Sequence, residues 1–142
     1  MISREARESG TRVGFEIQDI ATQKRGWLAH INQQTGPRVG KYHVNLEDLE
    51  AIGANAINKA IESFDMIAID EIGPMELFSI KFKNAVKRAM ESSKIIVAVV
   101  HWNANDRLVQ EVKAREDTEL FTITTENRNE LPQQIAQRIS KN

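Results

Sequence analysis

The run Met66-Ile67-Ala68-Ile69-Asp70-Glu71 constrains this chain more than any other stretch, because four consecutive apolar residues end abruptly in two adjacent carboxylates. An apolar run of this kind suits a strand covered on both faces, and such strands belong to parallel sheets flanked by helices. Lys94 to Val100 reads as a second strand of the same character and ends at His101. Ligands in open α/β sheets gather at the carboxyl ends of the strands. Asp70 and Glu71 are expected there, and charge at such a position is costly unless a metal, a water or a partner meets it.

The remaining pattern alternates strands with helices. Val13, Phe15 and Ile17 stand at alternate positions of Thr11 to Thr22, and Gly26 to Ile31 repeats the apolar pattern after the polar turn Gln23-Lys24-Arg25, which predicts a hairpin. Asn45 offers an N-cap to a helix from Leu46 to Ser63, where Leu46, Leu49, Ile52, Ala56, Ile57 and Ala60 recur at helical spacing. Ser79 is placed to cap the next helix, striped by Phe82, Val86, Ala89 and Met90. A short helix is expected around Leu108, Val109 and Val112, a further strand over Glu119 to Thr125, and a closing helix with Asn127 or Asn129 at its start. The sum is a doubly wound α/β sheet with an antiparallel hairpin attached.

Composition bounds the functions open to this fold. A chain of 142 residues with 41% hydrophobic content supports one domain, 1–142, with its own core. Nineteen basic residues against twenty acidic ones leave a net charge of -1, which provides no general field for nucleic acid or an anionic membrane. The absence of cysteine excludes thiolate metal sites and thiol nucleophiles. No signal peptide and no apolar run of membrane-spanning length occurs, so the cytoplasm is the expected compartment.

Two adjacent acids at the end of an apolar strand form the Walker B pattern, in which the first holds the magnesium of a nucleotide and the second can polarise an attacking water. The usual companion, a loop of the form G-x-x-x-x-G-K-[ST], does not occur in residues 1–142. Gly40-Lys41 is followed by Tyr42, and Thr35 stands where the first glycine of that loop belongs.

Four segments in order carry a resemblance. They are Arg7, Gly10, Arg12, Gly14 and Phe15 in an R-x-x-G-x-R-x-G-F stretch, Val39-Gly40-Lys41-Tyr42, Ile69-Asp70-Glu71-Ile72-Gly73-Pro74-Met75-Glu76-Leu77, and Glu126-Asn127-Arg128. Together they resemble, over nearly the whole chain, the nucleoside-triphosphatase family of thermophilic archaea and bacteria that includes the human cancer-related nucleoside triphosphatase. The resemblance implies an additional-strand, RecA/kinase-like P-loop NTPase fold, with a mostly parallel sheet and helices on both faces. It also implies hydrolysis of nucleoside triphosphates to diphosphate and phosphate with Mg2+. Family members begin with a strand, P-loop and helix of roughly 30 residues ahead of the segment where this chain starts. That first unit is expected to be absent here, through a late assigned start, a shortened chain or a real loss.

By the same resemblance, Asp70 holds Mg2+ through water and Glu71 is the base or positioner for the attacking water. The plain alternative is a carboxylate pair capping the following loop. His101, at the end of the strand beside the P-loop strand in the family's order, is placed to sense the γ-phosphate or water, or is a satisfied structural group. Arg7, Arg12 and Lys41 are candidates for neutralising phosphate, since Arg offers a bidentate fork and Lys a point charge; solvated basic side chains are the alternative. Asn127 and Arg128 are placed to meet the base, with Asn127 equally suited to a helix cap. Trp27 and Trp102 are expected to pack rather than stack on a base.

The function that follows is a Mg2+-dependent nucleoside triphosphatase whose partner is a nucleoside triphosphate, with little or no hydrolysis by this chain for want of the P-loop. The competing expectation is a non-catalytic interaction or weak nucleotide-binding module that kept the fold. A monomer is expected for the intact family fold, and bare strand edges make self-association open to this chain.

Overall fold

A computed structural model describes all residues, 1–142. The chain divides into two compact units, Met1–Gln110 and Glu111–Asn142. The first holds strands β1 (Ile2–Glu8), β2 (Thr11–Gln18), β3 (Arg25–His30), β4 (Arg38–Val39), β5 (Tyr42–Val44), β6 (Met66–Ile72) and β7 (Ile95–Val100) in one sheet, in the order β4-β5-β3-β2-β1-β6-β7. The sheet is mixed: β1, β6 and β7 run parallel to their neighbours at one end, while β1 to β5 form an antiparallel arm. The arm is larger than the single hairpin read from the sequence. Its extra strand β1 is joined to β2 by Ser9 and Gly10, whose φ angles of 50° and 80° are those of a two-residue hairpin turn with the right twist for its strands.

The helix expected over 46–63 forms in three continuous pieces, α1 (Leu46–Asp48), a π-helical turn (Leu49–Ala54) and α2 (Asn55–Ser63). Asn45 caps it as read, accepting the N–H of Asp48 at 3.0 Å. The π turn buries Leu49, Ile52, Gly53 and Ala54. A side chain on Gly53 would come within 2.8 Å of Ile17, so glycine allows the helix to lie close on β2. Helix α3 (Ile80–Glu91) buries Phe82, Ala85, Val86 and Ala89, one face at helical spacing, against α2 and the π turn. Ser79 caps it, its Oγ accepting from the N–H of Phe82 at 3.0 Å.

Strand β6 carries the main correction to the reading of its apolar run. Ile67 and Ile69 are fully buried on one face, but on the other Met66 is exposed and Ala68 and Asp70 are half-buried. The run is apolar throughout, yet only one face is sealed by the first unit's core. Strand β7 is likewise half-buried along most of its length and is the end strand of the sheet.

Helix α4 (Arg107–Ala114) appears where the Leu108, Val109 and Val112 stripe placed it, and all three side chains are buried. In the second unit, Glu119 to Thr125 is not a strand; it carries no ladder pairing and gives way to turns before α5 (Leu131–Ser140). Alternating apolar residues do not make a strand without a neighbouring edge to receive their backbone hydrogen bonds. Neither Asn127 nor Asn129 caps α5: Glu130 occupies that position without a side-chain bond, and Pro132 stands in the first turn, where its missing N–H costs nothing. No helix is long and apolar enough to cross a membrane.

Candidate active site

Three strand ends converge on the two carboxylates. Asp70 pairs with Ile2 of β1 on one side and Val99 of β7 on the other. The next pair is Ile72 with Val100, so Glu71 is the extra residue of a bulge in the β6–β7 ladder. A bulge leaves its residue unpaired and re-aims the side chain, a device common beside active sites. Beyond the bulge the His101 N–H donates to the Ile72 carbonyl at 3.1 Å, which fixes the end of β7 against the end of β6. The loop that follows turns back on itself, with the Asn103 N–H donating to His101 Nδ1 at 3.3 Å.

Burial raises the proton affinity of both acids. For Asp70 the charge of the Met1 ammonium opposes it. For Glu71 the burial effect is opposed by His101 and reinforced by Asp70, which places His101 within electrostatic reach of Glu71. Glu76, only 2% exposed, is pushed up to about 7 by burial; its hydrogen bond from the Gly73 N–H at 3.1 Å acts the other way, and the charges of Glu71 and Asp70 push it further up. No motif marks Glu76 as a site residue, although a charged residue inside the apolar Met75-Leu77-Phe78 surroundings is a signal that it is buried for a reason.

The donor set fits a hard cation shared with a substrate. Half-buried carboxylate oxygens at a strand end suit Mg2+, which is held through one or two carboxylates together with substrate phosphates. No three carboxylate or imidazole side chains converge as a complete protein cage for a metal.

The basic candidates lie elsewhere. Strand β1 runs parallel to β6 from the Ile2–Asp70 pair, so Arg7 stands five residues farther along, about 16 Å at the ordinary rise of a strand. There Arg7 donates to the Gly10 carbonyl and to Glu5, both at 3.0 Å. Arg12 bonds Glu5 at 3.0 Å and the Tyr42 hydroxyl at 2.9 Å, and its guanidinium lies over the Phe15 and Tyr42 rings. Lys41 lies with its ammonium 5.6 Å from the Tyr42 ring centre. The R-x-x-G-x-R-x-G-F stretch and the Gly40-Lys41-Tyr42 segment thus meet in a clamp across the arm.

Asn127 is committed to a turn: its Oδ1 accepts the Thr124 N–H at 2.8 Å and its Nδ2 donates to the Thr122 carbonyl at 2.7 Å. Arg128 is exposed. Trp102, expected to pack, is 82% exposed on the loop after His101, whereas Trp27 is half-buried with its ring edge-on to His30 at 4.5 Å.

Comparison with known proteins identifies the family and the fold. The NTPase family model matches residues 1–136. Nucleoside-triphosphatase THEP1 of Thermofilum pendens is 43% identical over 141 residues, covering 99% of this chain and 78% of the relative. The THEP1 of Methanosarcina barkeri is 50% identical over 134 residues, covering 94% of this chain and 75% of the relative. Among solved structures, the crystal structure of THEP1 from the hyperthermophile Aquifex aeolicus superposes with a TM-score of 0.83 at 28% identity, covering 94% of this chain and 78% of that one. The solution structure of a human cancer-related nucleoside triphosphatase gives 0.80 at 31% identity, covering 98% and 79%. The sheet that presents Asp70, Glu71 and His101 is therefore an NTPase sheet, and the chain belongs to the nucleoside-triphosphatase family.

Proposed function

We propose that residues 1–142 carry the metal- and water-handling side of a nucleoside triphosphatase that cleaves an NTP to NDP and phosphate. The observation that carries this reading is the convergence of Asp70, the bulged Glu71 and His101 at neighbouring strand ends. Mg2+, when bound, would neutralise charge on the phosphate oxygens. Asp70 would hold it through water. Glu71, re-aimed by the bulge, orients the attacking water and accepts its proton. His101, within electrostatic reach of Glu71, opposes the rise that burial gives its proton affinity, and would donate to a phosphate oxygen.

The arm residues Arg7 and Lys41 stay with the Glu5–Arg12–Tyr42 clamp in this reading, and Asn127 and Arg128 belong to the turn before α5. The match over 1–136 spans both units, which supports treating 1–142 as one functional domain. Because residues 1–142 contain no G-x-x-x-x-G-K-[ST] loop, they lack by themselves a grip on the β- and γ-phosphates. Hydrolysis by these residues alone is therefore slow, well below the ~1 s⁻¹ lower end of ordinary enzyme turnover.

The test is release of phosphate from γ-labelled ATP and GTP by the 142-residue protein and its Glu71→Gln variant. Slow, Mg2+-dependent release that disappears in the variant supports the reading. Release identical in both proteins, or none in either alongside nucleotide binding unchanged by Asp70→Asn, would instead favour a module that kept the fold without the reaction.

A further inference from the structure

Glu76 is a buried acid with no place in the reaction described above. At 2% exposure it is the one carboxylate among the largest fully buried side chains, and its desolvation is costly unless something recovers the loss. Its hydrogen bond is to the Gly73 N–H at 3.1 Å, three residues back in the turn that leaves β6. The same turn is closed by the Leu77 N–H donating to the Gly73 carbonyl at 3.0 Å and the Ser79 N–H donating to the Glu76 carbonyl at 3.1 Å.

Gly73 is where this turn meets the reacting group. A methyl group added there would stand 2.8 Å from Glu71 Oε1, 3.1 Å from Glu71 Cδ and 3.1 Å from Glu76 Oε2. The two carboxylates therefore crowd one face of a single Cα. Gly73 does not adopt the left-handed backbone that only glycine favours. Its bare Cα is needed for the space it leaves to Glu71 and Glu76.

We propose that Glu76 is a positioning residue for Glu71: its buried carboxyl holds the Gly73 turn, and the surface of that turn fixes where the Glu71 carboxylate stands. The inference rests on the reading of Glu71 as the group that orients water. A base is effective only when held near its productive geometry, and displacement by about 1 Å can cost a factor of about 100. The bulge frees Glu71 from the ladder, and the Glu76-held turn takes over its placement.

The experiment compares Glu76→Gln, Glu76→Ala, Gly73→Ala and Glu71→Gln, with the melting temperature of each measured. Gln keeps an oxygen to accept the Gly73 N–H; Ala does not. Glu76→Ala and Gly73→Ala are expected to lower kcat for NTP hydrolysis by a factor between about 10 and about 100 with KM within about twofold, and Glu76→Gln to stay near the parent. Alongside, the 13C carboxyl resonance of Glu71 should shift or broaden in both Ala variants and remain unchanged in Glu76→Gln. If Glu71→Gln leaves kcat intact, the reading of Glu71 fails, and the resonance still decides whether Glu76 places it. If Glu71→Gln abolishes turnover while Glu76→Ala does not lower it, Glu76 has no such role. A Glu71 resonance that ignores both Ala variants, or losses that merely follow melting temperature with no rescue by Gln, would also overturn the proposal. Should Glu76→Ala fail to fold, Gly73→Ala and Glu76→Gln carry the same comparison.

Discussion

The His101 N–H donates to the carbonyl of Ile72 at 3.1 Å, so the histidine is anchored to the strand end one residue past Glu71 whatever its ring does. Burial raises the proton affinity of Glu71, and the electrostatic influence of His101 opposes that rise. In His101→Ala the backbone tie survives and the ring does not. The Glu71 titration should therefore move to higher pH, read from its carboxyl 13C shift. An unmoved titration would separate the two residues electrically.

Glu76 gives the fold a pH dependence of defined sign. Burial holds it up to about 7, while a glutamate in an unfolded chain titrates near ~4.3. Between those values the folded state binds the extra proton, so this group's contribution is full below ~4.3 and declines as pH rises, levelling off above about 7. The decline is on the order of 3 kcal/mol. Asp70 and Glu71, also raised, add in the same direction. Denaturant unfolding at pH 5 and pH 8 should show Glu76→Gln losing less stability than the parent over that interval. Equal losses would mean that Glu76 is ionised in the fold.

Phe82 is fully buried where α3 meets α2 and the π turn. Its replacement by Ala should cost about 3–5 kcal/mol, the usual result of deleting a buried ring. A cost below about 1 kcal/mol, measured by chemical denaturation, would contradict this packing.

Ser79 joins two elements through one hydroxyl, accepting the Phe82 N–H at 3.0 Å and donating to Glu50 Oε1 at 3.2 Å. Loss of an N-cap costs about 1 kcal/mol. Ser79→Ala should reach about 2 kcal/mol because the site is buried, and Ser79→Thr should recover part of it. No change in unfolding midpoint for Ser79→Ala would show that the cap is dispensable.

These cap and core positions were legible in the sequence because each depends on near neighbours along the chain: Ser79 on Phe82, Asn45 on Asp48, and the α3 stripe on a spacing of three and four. Strand β1 was missed because Ser3, Arg4, Glu5, Arg7 and Glu8 hide its alternation, although the Ser9-Gly10 turn marks its end. Glu119 to Thr125 is the opposite case, since its alternating pattern predicts a strand and its ladder partner is not present. At the site, Asp70 and Glu71 could be read from the abrupt end of an apolar run. That Glu71 sits in a bulge, and that Glu76 faces it across Gly73, depends on register and turn geometry that no local pattern specifies.

If Asp70 and Glu71 handle metal and water in one NTP-cleaving site, as proposed, a Mg2+ titration of phosphate release from ATP separates their two roles. In Asp70→Asn the Mg2+ needed for half-maximal release should rise by about tenfold or more. In Glu71→Gln release should vanish at every Mg2+ concentration. Parent-like release by both variants across the whole titration would show that neither carboxylate takes part in the reaction.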